Sequence, residues 1–219
     1  MKNKTLFFAA LLLVFSACKH SSQPTTAVEP PLLGYFKTMP ATDTLHLELP
    51  TDEETEIPGD TIPNAVFFSS LDTAWLHDIE HVATPGEAVI HSRGRFQLAK
   101  GYEGCIVEVH QHWFKHWSLL VYDQQRHTFT DRRTVAEWYG GEGGQVLTGS
   151  WLFDYDGDGQ RDLVLREIEH WTKPNDAGEP LETFVERAGL LLWKDGGFVP
   201  SPLADTVALV KRCPIRSVW

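Results

Sequence analysis

The chain has 219 residues and a formal net charge of −11, with 30 acidic side chains against 19 lysines and arginines. That balance excludes a nucleic-acid partner and opposes direct adhesion to anionic lipid, since both call for basic patches. Hydrophobic residues make up 42% of the composition, enough for a packed core, and nothing divides the chain into two domains.

The N-terminus reads as a secretory signal. Met1-Lys2-Asn3-Lys4 is basic, Leu6 to Phe15 is apolar, and Ser16-Ala17-Cys18 supplies small residues before a cysteine. The apolar run is shorter than the roughly 20 residues a spanning helix needs. The Ser-Ala-Cys ending resembles a bacterial lipoprotein signal, which implies that 1–17 are removed and that Cys18 becomes the lipidated first residue. Phe15 departs from the aliphatic residue usual in that pattern. Lys19, in place of aspartate, resembles lipoproteins sent to the outer membrane of Gram-negative bacteria. The implied location is the cell envelope, with the chain held at the membrane by its lipid. Loss of 1–17 removes two lysines and no acid, and moves the net charge to −13. Positions 18–31 are polar and proline-containing, a disordered tether. Positions 32–219 form a single domain.

Leu45 to Pro50 alternates as a strand, and Thr51 to Glu56 is an acidic solvated run. Ala65 to Phe68 reads as a short buried segment. Leu71 to His81, with Leu71, Trp75, Ile79 and Val82 near helical spacing, predicts a helix. With Cys18 lipidated, Cys105 and Cys213 remain, either as one disulfide or as two separate buried thiols. Period-2 geometry puts Glu108, His110 and His112 on one strand face, a ligand pattern suited to a transition metal. The same residues also suit the polar face of a strand whose other face, Val107 and Val109, is core. Trp113, Trp117, Trp138 and Tyr139 are candidates for sugar contact, while Trp151, Trp171 and Trp193 suit a core. Gly140 to Gly144 lacks the Lys-Ser/Thr of a phosphate loop and reads as a turn, so no nucleotide is expected.

The most specific signal follows. In Asp154-Tyr155-Asp156-Gly157-Asp158-Gly159-Gln160-Arg161-Asp162, the carboxylates of Asp154, Asp156, Asp158 and Asp162 fall at positions 1, 3, 5 and 9 of a calcium loop. Gly159 supplies the sharp turn and the Gln160 carbonyl offers a further oxygen. Carboxylates this dense repel unless a hard cation such as Ca²⁺ holds them. Position 12, a bidentate glutamate in an EF-hand, is Leu165, and the flanks Trp151-Leu152-Phe153 and Leu163-Val164-Leu165 favour strands over helices.

The DxDGDGxxDL core, the strands around it, the second strand Gly189 to Trp193 and the turn Lys194 to Phe198 resemble one FG-GAP/VCBS repeat. The resemblance implies a propeller blade with calcium between two strands. It spans about Ser150 to Pro200, with Thr172 to Thr183 reading as an insertion. A weaker copy precedes it: Phe96, Cys105 to Val109, Ser118 to Asp123 and Phe129 match Phe153, Leu163 to Leu165, Gly189 to Lys194 and Phe198. In that copy Gln97 to Gly104 stands where the carboxylates would be, so metal belongs to the second unit only. The expected fold is all-β, either an irregular or incomplete propeller-like array or a β-sandwich. The expected function is a calcium-stabilised binding or assembly module for a protein or glycan. The alternative is a glycan-acting hydrolase using Glu167 or Glu169, which share a strand face.

Overall fold

The computed structural model of the chain describes residues 29–50, 59–76, 88–111, 114–141, 143–202 and 204–216. The signal, Cys18, most of the tether, the acidic run at 51–56, His112 and Trp113 lie outside them.

The fold is all-β, as expected, and the sheet is open. An antiparallel meander runs through β3 (Ala88–Ala99), β4 (Tyr102–Gln111), β5 (Phe114–Asp123), β6 (Thr128–Gly141), β7 (Gly144–Phe153), β8 (Asp162–Pro174), β9 (Pro180–Lys194) and β10 (Gly197–Pro200). The short β2 (Thr61–Ile62) adds to β3, and β1 (Leu45–Leu47) pairs with β7. The weak sequence repeat corresponds to two four-stranded units, β3–β6 and β7–β10. Among the described residues, strand pairing joins them where Glu137–Gly141 meets Gly144–Thr148; farther along, Ser150 to Leu152 of β7 pairs with β1 instead. The stretch Thr172 to Thr183 is the far end of the β8–β9 hairpin. Its strands are 13 and 15 residues long, against 10 each in β4 and β5.

Cross-strand partners share a face, so the register shows how the two units meet. Trp117 lies opposite Ala136; Trp138, two residues on, lies opposite Leu147, and Leu147 opposite Ile168. Ile168 has the parity of Val164, not of Leu163 and Leu165. Yet the core that contains Ile106 and Leu119, with Trp117 packed on it, is completed by Leu152, Leu163, Leu191 and Trp193. The two units therefore stack front to back: one face of the first covers the opposite face of the second. Twist accommodates this, helped by register shifts between Trp117 and Ser118 and between Val121 and Tyr122.

The remaining faces are capped by other segments. On the first unit, Cys105, Val107, Val109 and Leu120 are covered by a 3₁₀ turn (Pro31–Tyr35) and α1 (Asn64–Ser70) through Leu32, Leu33 and Phe67. On the second, Val164 and Leu190 are covered by α2 (Thr206–Arg212) through Leu209 and Cys213. The fully buried Arg166 fastens that end of the chain, donating to the carbonyl oxygen of Val210 at 2.7 Å and to that of Cys213.

One expectation is corrected, and one pair of alternatives is decided. The helix lies at Asn64–Ser70, not Leu71 to His81: Pro63 starts it, and Leu71 is extended with φ −118° and ψ 151°. Thr73–Trp75 forms only a 3₁₀ turn, capped by Asp72, and positions from 77 onward lie outside the described residues. Cys105 and Cys213 are free thiols. Cys105 faces the α1 cap and Cys213 packs under α2, so both stacked sheets separate them. Sheets stack about 10 Å apart, whereas a disulfide needs Cα atoms within about 7 Å.

Burial pushes both thiols above their ordinary range, most strongly Cys105. The melting temperature should accordingly be the same with and without dithiothreitol. Both cysteines should react with a thiol reagent only after denaturation; a drop of several degrees on reduction would restore the disulfide.

Candidate metal centre

The carboxylate loop connects β7 to β8, where the first unit has only the tight turn Lys100-Gly101. Gly157 and Gly159 have φ of +85° and +81°, a region that disfavours side chains, and this lets the loop coil around Asp154. Asp154 accepts the backbone N–H of Gly157 at 2.7 Å with Oδ1 and that of Gly159 at 2.9 Å with Oδ2. Asp162 is buried; its Oδ2 accepts Tyr155 N–H at 2.9 Å across the loop, and its Oδ1 accepts Trp193 N–H of β9 at 2.8 Å. Asp154, Asp156 and Asp162 each offer an oxygen, and these oxygens all lie within 4.8 Å of one another.

Three of the four predicted carboxylates thus converge. Asp158 turns instead to Gln160, accepting its backbone N–H at 2.8 Å and its side-chain amide at 2.7 Å. The Asp162 carboxyl is raised above its ordinary value, first by burial and then by the charges of Asp156 and Asp158, against the pull of its two N–H donors. An acid raised on folding contributes stability at low pH that is lost as pH rises through its folded value. At neutral pH the ionised group is a liability that a cation would offset, so the all-oxygen donor set fits a hard divalent ion.

The loop also ties the fold together. Arg161 N–H donates to the Leu98 carbonyl at 3.2 Å, and its guanidinium donates to carbonyls of Gln97, Leu152, Asp43 and Thr42. Arg212 of α2 sits over the rings of Phe153 and Tyr155, 4.5 and 5.2 Å from their centroids. The loop therefore touches the first unit, the N-terminal segment, β9 and α2. Sequence reasoning missed Arg161. A lone cation among four carboxylates was the available signal, although it serves carbonyls and leaves the carboxylates to converge.

The proposed second metal set takes a different form. Glu108 and His110 do share a strand face, and His110 Nε2 contacts Glu108 Oε1. However, Glu108 is buried and committed: Arg93 Nε donates to Oε2 at 2.6 Å and Trp117 Nε1 at 2.7 Å, with Arg93 lying 5.0 Å over the Trp117 ring. A carboxylate saturated by an arginine and an indole is a structural ion pair, not a metal ligand. Glu167 and Glu169 both accept from Arg187 Nη1. That hydrogen bond, foremost, holds the Glu169 carboxyl below its ordinary range. A glycosidase acid must keep its proton near neutral pH, so this pairing works against the hydrolase alternative. Of the aromatic candidates, Trp117 is engaged with Glu108, and Trp138 and Tyr139 are exposed. Trp193 is core, while Trp151 is half-buried and stacks on His46 at 4.1 Å.

Comparison of the chain with protein-family profiles, with curated proteins and with solved structures finds no match.

Burial pushes the Glu108 carboxyl up, but His110, Arg93 and Trp117 outweigh it and hold it at about 2, below its ordinary 4.5. Its contribution to stability is complete above pH 4.5 and is lost as pH falls from there towards 2. Glu108→Gln should cost on the order of 3 kcal/mol at pH 7, where Arg93 loses the Glu108 carboxylate. The variant should also lose less than the parent on acidification in urea titrations; parallel pH curves would contradict this assignment.

Proposed function

We propose that this chain is a lipid-anchored envelope protein whose single β-rich domain serves as a binding or assembly module, with calcium as a structural tie. The observation that carries this reading is the convergence of Asp154, Asp156 and Asp162 at the junction of both units, the N-terminal segment and α2. Asp158, once it releases the Gln160 amide, and the Gln160 carbonyl complete the ligand set we assign. Calcium there would supply a positive hub for carboxylates that otherwise repel. The front-to-back stacking of two four-stranded units supports a short propeller-like array over a sandwich folded from one continuous sheet, whose halves would face each other with the same surface. The acidic net charge opposes direct adhesion to an anionic membrane and so supports a lipid at Cys18 as the attachment.

Calcium at 5 mM should stabilise the mature domain over EDTA by about 1 to 2 kcal/mol, or several degrees of melting temperature, for dissociation constants of roughly 10⁻⁴ to 10⁻³ M. Asp156→Ala should abolish that increment while differing from the parent in EDTA by no more than about 0.5 kcal/mol. It should weaken partner binding only through the lost stability. Equal melting temperatures in calcium and EDTA would remove calcium from the account, and a variant that keeps the increment would move the site.

Cys18→Ser should shift the protein from the membrane pellet to the soluble fraction of fractionated cells. Retention of the variant in the pellet after a salt wash would contradict the lipid anchor.

A further inference from the structure

The β8–β9 hairpin outruns the sheet that carries it. Strand β9 pairs with β8 from Pro180 to Leu191, but β10 meets its other side only from Leu191 onward, and Ser201 N–H then reaches the Leu190 carbonyl at 2.8 Å. Among the described residues, no strand pairs with the outer edge from Leu181 to Arg187. That edge is roughly 20 Å long. Leu181 is 57% and Phe184 55% exposed, with the Phe184 ring stacked on His170 at 4.2 Å. Proteins normally blunt such edges with lysines, bulges or prolines. Here the β8–β9 register is unbroken, the stretch 180–188 contains no lysine, and Pro180 stands only at the strand's first position.

The charge around this edge is one-sided. From Arg166 to Gly189 there are six carboxylates and three basic side chains. Two of the three are spent internally, Arg166 on Glu186 and main-chain carbonyls and Arg187 on Glu167 and Glu169. What faces outward near Leu181 and Phe184 is predominantly acidic: Asp176, Glu179 and Glu182, all exposed, against the single exposed Lys173 opposite Leu181.

We propose that the outer edge of β9 from Leu181 to Arg187 is a docking site for a basic, extended protein segment, which adds to the sheet as a further strand. The main chain supplies the hydrogen bonds; on one face of β9 Leu181 and Val185 take alternate apolar side chains of the partner, and on the other Glu182 takes its lysines or arginines, whose stems lie along Phe184. A second copy of the chain is disfavoured as occupant, because edge-to-edge pairing would bring two acidic hairpins together and, centred on Phe184, would set Glu182 against Glu186. The proposal rests on the binding-module reading and names its partner. It does not depend on calcium, because the edge lies at the other end of the strands from the carboxylate loop.

The test uses the purified mature protein and an acetylated nine-residue peptide of alternating lysine and valine, titrated calorimetrically in calcium and in EDTA below the melting temperature. Two control peptides are an analogue N-methylated on one edge and a glutamate-valine analogue. The lysine peptide should bind saturably, at least tenfold tighter than either control and equally in both buffers. Glu182→Lys and Leu181→Ala, both at exposed positions, should each weaken binding several-fold with unchanged melting temperature. Equal binding of the N-methylated peptide would reduce the effect to charge alone and overturn strand addition. Absence of saturable binding, or a concentration-dependent dimer that either substitution abolishes, would overturn the proposal. Loss of calcium stabilisation with peptide binding intact would count against the calcium reading and leave this one standing.

Discussion

The structure depends on the fact that each four-stranded unit is apolar on both faces. An antiparallel sheet usually keeps one face in water, with polar and apolar residues alternating. Here β4 buries Cys105, Ile106, Val107 and Val109 in succession, and β5 does the same from Leu119 to Tyr122. Neither unit can stand alone in water. Burial at about 25 cal/mol per Å² drives the two together, and it also drives the recruitment of covering segments from both ends of the chain. The front-to-back stack solves the problem once, and leaves two outer faces that the turn Pro31–Tyr35 with α1, and α2, must each close. Repeat arrays in general need caps of this kind.

Short covering segments contribute little helical stability of their own, since seven residues are well below the length at which a helix holds in water. Charged side chains help to fix α2 and the other covering segments. Arg166 donates to the carbonyls that end α2, where its charge also suits the helix dipole. Glu48, buried beside β1, accepts from the backbone and guanidinium of Arg216, and burial, which raises its carboxyl, is outweighed by His46 and Arg216. Arg132 reaches from β6 to the Trp75 carbonyl at 2.6 Å. In each case a charged side chain reaches from a strand, or from the residue beside one, to a segment that lies outside the sheet. Register is specified by these pairs more than by apolar area, which is not directional.

Much of this was legible in the sequence. The carboxylate loop announced itself, its flanks as strands followed from Trp151 to Phe153 and Leu163 to Leu165, and the weak repeat located both four-stranded units. What the sequence left open or misplaced shares one physical reason: periodicity identifies a face and not what covers it. Glu108 and His110 do share a face, but the partner that decides their role is Arg93, fifteen positions earlier and opposite no motif. Cys105 and Cys213 are both buried, but on faces separated by two sheets. Leu71 to Val82 has helical spacing, yet Pro63 begins the helix earlier and the extended Leu71 ends it. Glu48 looks exposed by alternation in Leu45 to Pro50, and is buried because the C-terminal segment crosses it. The convergence of three carboxylates instead of four also needed coordinates, because the competing Gln160 amide lies within the same loop.

The two units also diverge in a consistent direction. In the first unit, the β3–β4 connection is a tight turn and the β4–β5 strands are short, so nearly everything outside the core faces is turn. The second unit has an eight-residue carboxylate loop, Asp154 to Arg161, at one end and the extended hairpin at the other. The hairpin lies beyond the region where the units stack, and the loop meets the first unit only at the core's edge, where Arg161 N–H donates to the Leu98 carbonyl, so neither interrupts the shared core. A unit already fixed by stacking on its neighbour can lengthen its connections at modest entropic cost, because loop closure grows only logarithmically with length. The constraint that forces two sheets together is thus also what frees the second sheet to carry its distinctive chemistry at both ends.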